Sequence, residues 1–241
     1  MVDVTVRAEI VENFYRLRRI LGYLGFLLPA VLILGDLPLG GVTPSISDFY
    51  HTLLRDIYVG ILTAIGIFLL CYTGFRPKGS DRISDDVITT IAGIAALVVA
   101  FVPNKGTLNT SWEPEALTQH LFGVWGAEMT HHVAALTLLL CLAYLSYFRF
   151  ARTAQAGRRR TYVICAWVIL LATVMTFLVA WFRKYGSEEQ AQIVLDYRLV
   201  FWFEAIGFWA FSVSWLVKGR TDLSVLRRAR ADQAEGRGRV K

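Results

Sequence analysis

The chain has 241 residues, 55% of them hydrophobic and 18% charged, with a mean hydropathy of +0.48 and a formal net charge of +6. Soluble domains carry about 25% charged residues, whereas the apolar residues here come in blocks such as 57–75 and 199–217 that hold one charged residue or none. A run of about 18 or more such residues reads as a membrane-spanning helix, which excludes a soluble enzyme, a secreted disulfide-rich domain and a disordered chain.

The pattern predicts an all-α polytopic bundle of six transmembrane helices, at about 20–39, 57–75, 87–103, 121–148, 161–182 and 199–217. The first apolar run starts only after a segment holding Asp3, Glu9 and Glu12, and no small-residue cleavage site follows, so it is expected to stay as a helix and not to act as a signal peptide. Pro44, Ser45 and Ser47 make a turn and cap before the second helix. Gly60, Gly66, Gly93, Ala95 and Ala96 are small residues that let helices approach closely. The third helix is short and carries Thr89 and Thr90. The fourth is too long for a hydrocarbon core of about 30 Å and must tilt or project. Cys71, Cys141 and Cys165 fall inside spans at unrelated spacings and read as small apolar residues. Trp181, Tyr185, Tyr197 and Trp202 suggest an outer aromatic belt, and Tyr144, Tyr147, Tyr162 and Trp215 an inner one.

Charge sets the orientation. The N-terminus, the 76–86 loop, the 149–160 loop and the tail from Lys218 hold 20 of the 25 basic residues. By the positive-inside rule both termini are then cytoplasmic, in what reads as a prokaryotic plasma membrane. The domain plan is a cytoplasmic N-terminal segment (1–19), a six-helix transmembrane domain (20–218) and a basic cytoplasmic tail (219–241). That tail, with Arg227, Arg228, Arg230, Arg237 and Arg239, is expected to be mobile or interfacial against anionic lipid and not to bind nucleic acid. The expected partners are membrane lipids.

Ionisable residues in or near a span are costly and point to function. Counting about 20 residues outward from each cytoplasmic boundary, at 1.5 Å per residue, brings Asp48, His51, Arg55 and Asp56 to the outer interface. Glu128, His131 and His132 reach the same layer, and Glu204 lies about 9 Å inside it. Glu128 is within one helical turn of both His131 and His132. Ser47, His51 and Arg55 share a stripe if their segment is helical. Glu204 shares one with Tyr197, Phe208, Phe211 and Trp215, and such a carboxylate needs a partner on another helix or a proton.

Two functional readings of the layer are open. In one, His51, His131 and His132, with Asp56 completing or orienting the site, hold a divalent metal such as zinc that activates water, and Glu128 or Glu204 is the base. In the other, Arg55 and the His pair, with Asp48 beside them, clamp an anionic headgroup and nothing is hydrolysed. A scaffold of interhelical ion pairs stands beside both. The function classes are accordingly a lipid- or amphiphile-binding site with metal-assisted hydrolysis, a non-enzymatic protein binding lipid or a partner, and a proton-coupled transporter using Glu204.

The stretches SISDFYHTLLRDIYVGILTAIGIFLL (45–70), IAGIAALVVAFVP (91–103) and FWFEAIGFWAFSVSWLVKG (201–219) resemble the prokaryotic membrane-protein family known as domain of unknown function 998. That resemblance implies a polytopic membrane fold and no assigned reaction. S-D-F-Y-H (47–51) is more loosely similar to the Ser-x-x-x-His part of the intramembrane hydrolases that include alkaline ceramidases and progestin–adiponectin receptors. Those use a Ser, an Asp and three His around zinc, which implies roles for Ser47 in catalysis and His51 as a ligand. That group typically has seven helices and a His pair in the last one, whereas the last helix here has no His.

Overall fold

The structure, a computed structural model, describes residues 4–39, 41–74, 84–107 and 115–238; for 4–11, 14, 39 and 220–238 only the backbone course is described. The basic positions Arg76, Lys78, Arg82 and Arg239 therefore lie outside it. Among the described residues all regular structure is helical: α1 (Val4–Asp36), α2 (Arg55–Leu70), α3 (Asp85–Phe101), α4 (Leu117–Tyr144), α5 (Ala156–Tyr185), α6 (Glu188–Asp196) and α7 (Leu199–Gly238). A 3-10 turn, Ile46–His51, precedes α2, and a π turn, Leu145–Phe150, extends α4. Four helical stretches are long and apolar enough to cross a membrane, namely Tyr15–Asp36, Leu117–Phe150, Ala156–Tyr185 and Leu199–Gly219. The other two apolar helices, α2 and α3, have 16 and 17 residues, about 25 Å each at 1.5 Å per residue.

The six long helices pack as a ring in the order α1, α2, α3, α4, α5, α7 and back to α1. Small residues set the closest approaches. A Cβ on Gly66 would lie 3.1 Å from the Gly93 carbonyl oxygen, and one on Gly93 only 2.8 Å from that of Gly66, so α2 and α3 meet backbone to backbone. Backbone cannot retreat as a flexible side chain can, and overpacking costs typically 1–3 kcal/mol. Gly93→Ala is therefore expected to lower the thermal midpoint in detergent, while Gly60→Ala, where nothing lies within 4 Å, leaves it unchanged. Gly60 is thus no packing residue. Gly22 and Gly25, which the pattern does not single out, take that role between α1 and the Leu216 and Phe211 side chains of α7.

The structure departs from the expected elements where local geometry intervenes. Gly123, with φ 72° and ψ 155°, breaks the overlong fourth helix near its start. The backbone of α7 runs on as helix into the basic tail, to Gly238. Tyr162 and Trp215 are 1% and 0% exposed, so they form core and no inner belt. Trp215 packs edge-on against Tyr72 and Phe150. Tyr197 ends α6 and is exposed, and the left-handed Arg198 (φ 51°) separates it from the Glu204 stripe.

Candidate functional site

The site begins where the chain turns back before α2. Ser45 caps the 3-10 turn, its Oγ accepting the Ser47 N–H at 3.1 Å and donating to Glu204 Oε2 at 2.9 Å. The same carboxylate oxygen accepts the Ile46 N–H at 2.6 Å. A short helical turn presents unpaired N–H groups at its start, and an acceptor there is favoured. The Phe201 N–H donates to the Pro44 carbonyl at 3.0 Å, and buried Phe49 and Phe201 meet with ring centroids 6.2 Å apart. The start of α7 thus holds residues 44–49 in place, and Glu204 is the polar part of that clamp.

This places Ser47 against α4. Its hydroxyl lies 2.8 Å from His131 Nε2, and His131 Nδ1 lies 2.7 Å from the Val102 carbonyl oxygen. A carbonyl only accepts, so Nδ1 carries the proton, Nε2 is the acceptor and the Ser47 hydroxyl donates to it. Val102 offers its carbonyl because α3 ends there. Pro103 follows, the residue before a proline is pushed to extended backbone, and Val102 has φ −110° and ψ 94°. His131 is 1% exposed, so packing and two hydrogen bonds fix both its ring orientation and its tautomer. From α2, the buried Tyr58 donates to the Val99 carbonyl at 3.3 Å.

A second layer supports the first. Asp48 Oδ1 accepts from Asn104 Nδ2 at 2.8 Å and from the Thr107 N–H at 3.1 Å. Gln119, 2% exposed, donates to the Asn104 carbonyl and accepts the Glu115 and Ala116 N–H groups, so it ties the 102–107 segment to the start of α4. His51 lies outside that layer, with Nδ1 2.7 Å from Glu115 Oε2 and Nε2 3.1 Å from the Asn104 carbonyl. Gly106 lies over its ring with φ +85°; a Cβ there would sit 3.0 Å from His51 Cδ2 and strain the backbone.

A cavity of about 260 Å³ opens onto this layer. Ser45, Ser47, His131 and Glu204 line its polar side. Arg183 and Lys184 line another part, and Leu139, Phe177 and Ala180 its apolar wall between α4 and α5. Arg183 Nη1 donates to Thr107 Oγ1 at 2.7 Å, and Lys184 Nζ lies 5.6 Å from the centroid of the Tyr185 ring.

The structure brings together Ser47, Asp48, His51, His131 and Glu204 from the expected set. Glu128 and His132 also line the cavity, facing each other at 3.7 Å. Arg55 stacks over the Tyr50 ring and bonds its hydroxyl, and Asp56 is exposed on the outer surface of α2. The stripe of Ser47, His51 and Arg55 dissolves because the 3-10 turn stops at His51 and α2 starts afresh at Arg55. Val102, Asn104, Glu115, Arg183 and Lys184 were not legible as site residues. A backbone carbonyl has no sequence signature, and the Asn-containing segment after Pro103 reads only as a loop.

The residues expected to hold zinc can be tested on their own hydrogen bonds. Both nitrogens of His131 are engaged, both of His51 face acceptors, and His132 faces Glu128. Among the described residues no group of three or more His, Cys, Asp or Glu is placed to hold a metal ion. The chain matches no protein-family model, no curated protein and no solved structure with which it was compared. Its chemistry therefore rests on the geometry of the site.

Proposed function

We propose that the chain is a six-span protein of a prokaryotic plasma membrane, both termini cytoplasmic, whose cavity at the outer face binds a lipid or small amphiphile and cleaves an acyl ester in it. The observation that carries the reading is the Ser47–His131 hydrogen bond at 2.8 Å, with His131 Nδ1 held by the Val102 carbonyl. A hydroxyl, a neutral imidazole acceptor and a third group orienting the ring form the arrangement of an activated nucleophile. The charge asymmetry and the clustering of these residues at one end of the bundle support the topology.

In this mechanism Ser47 Oγ attacks the ester carbonyl carbon while its proton passes to His131 Nε2. The carbonyl π pair moves onto oxygen to give a tetrahedral oxyanion. The tetrahedral species collapses, the acyl–oxygen bond breaks, and His131 returns the proton to the leaving alkoxide. Water, deprotonated by His131, then releases the acid and regenerates Ser47. The Val102 carbonyl stands where a triad has a carboxylate, so it orients the ring without adding a charge. Glu204 holds the nucleophile's turn and moves no proton.

A metal-assisted version would require His131 Nε2 to give up Ser47 as its partner, with Nδ1 still held by the Val102 carbonyl. A non-enzymatic version would use the same bond only to join the 46–51 turn to α4. A serine-directed fluorophosphonate applied to detergent-purified protein separates these readings. Labelling at Ser47 that survives a chelator, disappears in Ser47→Ala and His131→Gln and persists in Glu128→Gln is the expected result. It falls as the pH is lowered until His131 takes up a proton, because imidazolium cannot accept from Ser47. Equal labelling of wild type and Ser47→Ala would refute the nucleophile.

A further inference from the structure

The cavity has an axis. Along α4 it is lined from Glu128 to Leu139, and along α5 from Tyr185 to Thr176, roughly 14–16 Å in each case at 1.5 Å per residue. One end carries Arg183 and Lys184. The other is apolar, with Leu139 and Phe177 on facing helices. Among the described residues neither cation forms an ion pair with a carboxylate: Arg183 donates to the neutral Thr107 hydroxyl, and Lys184 lies over the Tyr185 ring. The acids on the same cavity bond directly to other groups, Glu204 to Ser45 and Ile46 and Glu128 to His132, and reach Arg183 and Lys184 only through space.

We infer that the cavity takes a phosphate-headed amphiphile seated along the membrane normal, its phosphate on Arg183 and Lys184 and its alkyl chain in the crevice between α4 and α5. This rests on the reading of the cavity as an amphiphile site and names the chemical class of its ligand. The guanidinium fork suits a phosphate bidentately, and the ammonium adds a second donor. The apolar wall excludes a free anion as the intended occupant, because inorganic phosphate would leave Leu139, Phe177 and Ala180 facing water. The axis also puts the polar end beside Ser47, so an ester close to the headgroup, and not one at the chain terminus, is the bond within reach.

Trp181 lines the same cavity, so its fluorescence reports occupancy without turnover. The full chain, in neutral non-ionic detergent, is titrated with dodecyl phosphate, dodecanol and inorganic phosphate. Dodecyl phosphate is expected to bind at least about tenfold more tightly than either of the others, equivalent to about 1.4 kcal/mol. That advantage over dodecanol should vanish in R183Q/K184Q, fall with added salt, and persist in Ser47→Ala. Leu139→Trp, which fills the crevice, should weaken both alkyl probes. Equal binding of dodecanol and dodecyl phosphate in the wild type, or an advantage that survives R183Q/K184Q, overturns the headgroup assignment without needing any variant at the crevice. Inorganic phosphate binding as tightly as dodecyl phosphate overturns the alkyl half. Because Ser47→Ala keeps the ligand site intact, loss of ester cleavage with binding retained marks failure of the catalytic reading alone.

Discussion

Ser47→Ala is expected to lower turnover of a bound acyl ester by roughly four orders of magnitude or more, while helix content and thermal midpoint stay close to wild type. The attacking oxygen is removed outright, and no other hydroxyl takes its place on His131. His131→Ala should cost about as much, and the double variant little more than either single one, because nucleophile and base act as a unit. This lack of additivity distinguishes a catalytic pair from a strut. A purely structural hydrogen bond would give the same stability loss of about 1 kcal/mol in each single variant but no change in the ratio of turnover to binding. Single-turnover kinetics on the four proteins, beside their melting curves, reads both quantities. Glu204→Gln provides a control with a different signature. It keeps one oxygen for Ser45 and Ile46 and holds no proton in the reaction, so turnover should fall without a change in the shape of its pH profile.

Asp85→Ala is expected to destabilise the bundle by about 3–5 kcal/mol, read as a lower thermal midpoint in detergent. Asp85 and Arg149 form an ion pair at the opposite end of the bundle from Ser47, with side chains only 7% and 9% exposed. Truncating one partner leaves the other charge buried without this counter-ion, and that penalty exceeds the worth of the pair itself. The double variant Asp85→Ala/Arg149→Met should therefore be more stable than Asp85→Ala alone. An equal or lower midpoint in the double variant would show that Arg149 is held by its other contacts and that Asp85 acts through the start of α3, where its charge also favours the helix dipole.

Neither pair could be written down from the chain alone. Arg149 fell in a basic loop expected to be cytoplasmic and Asp85 at the edge of another, and both read as solvated topology signals. Their burial comes from the π turn at Leu145–Phe150, which carries α4 past its expected end and turns Arg149 inward. The same holds for Ser45, which reads as a turn former and in the structure bridges Glu204 to the start of the 3-10 turn.

What the sequence determined by itself was everything that depends on solvent and period. Long apolar runs set the helices, the lysine and arginine asymmetry set the proposed orientation, and a count of 1.5 Å per residue brought Asp48, His51, Arg55, Asp56, Glu128, His131 and His132 to one layer with Glu204 about 9 Å inside it. Those are one-dimensional properties, and they hold whichever neighbours the helices choose. The tertiary structure decided rotation and pairing. It chose Ser47 for His131 and Glu115 for His51, left Asp56 on the outer surface, and brought a backbone carbonyl at Val102 to the imidazole. Those choices depend on how each helix turns about its axis in the ring and where proline and glycine end it. They are set by contacts between segments far apart in the chain, such as Ser45 with Glu204, 159 residues away, which no local pattern encodes.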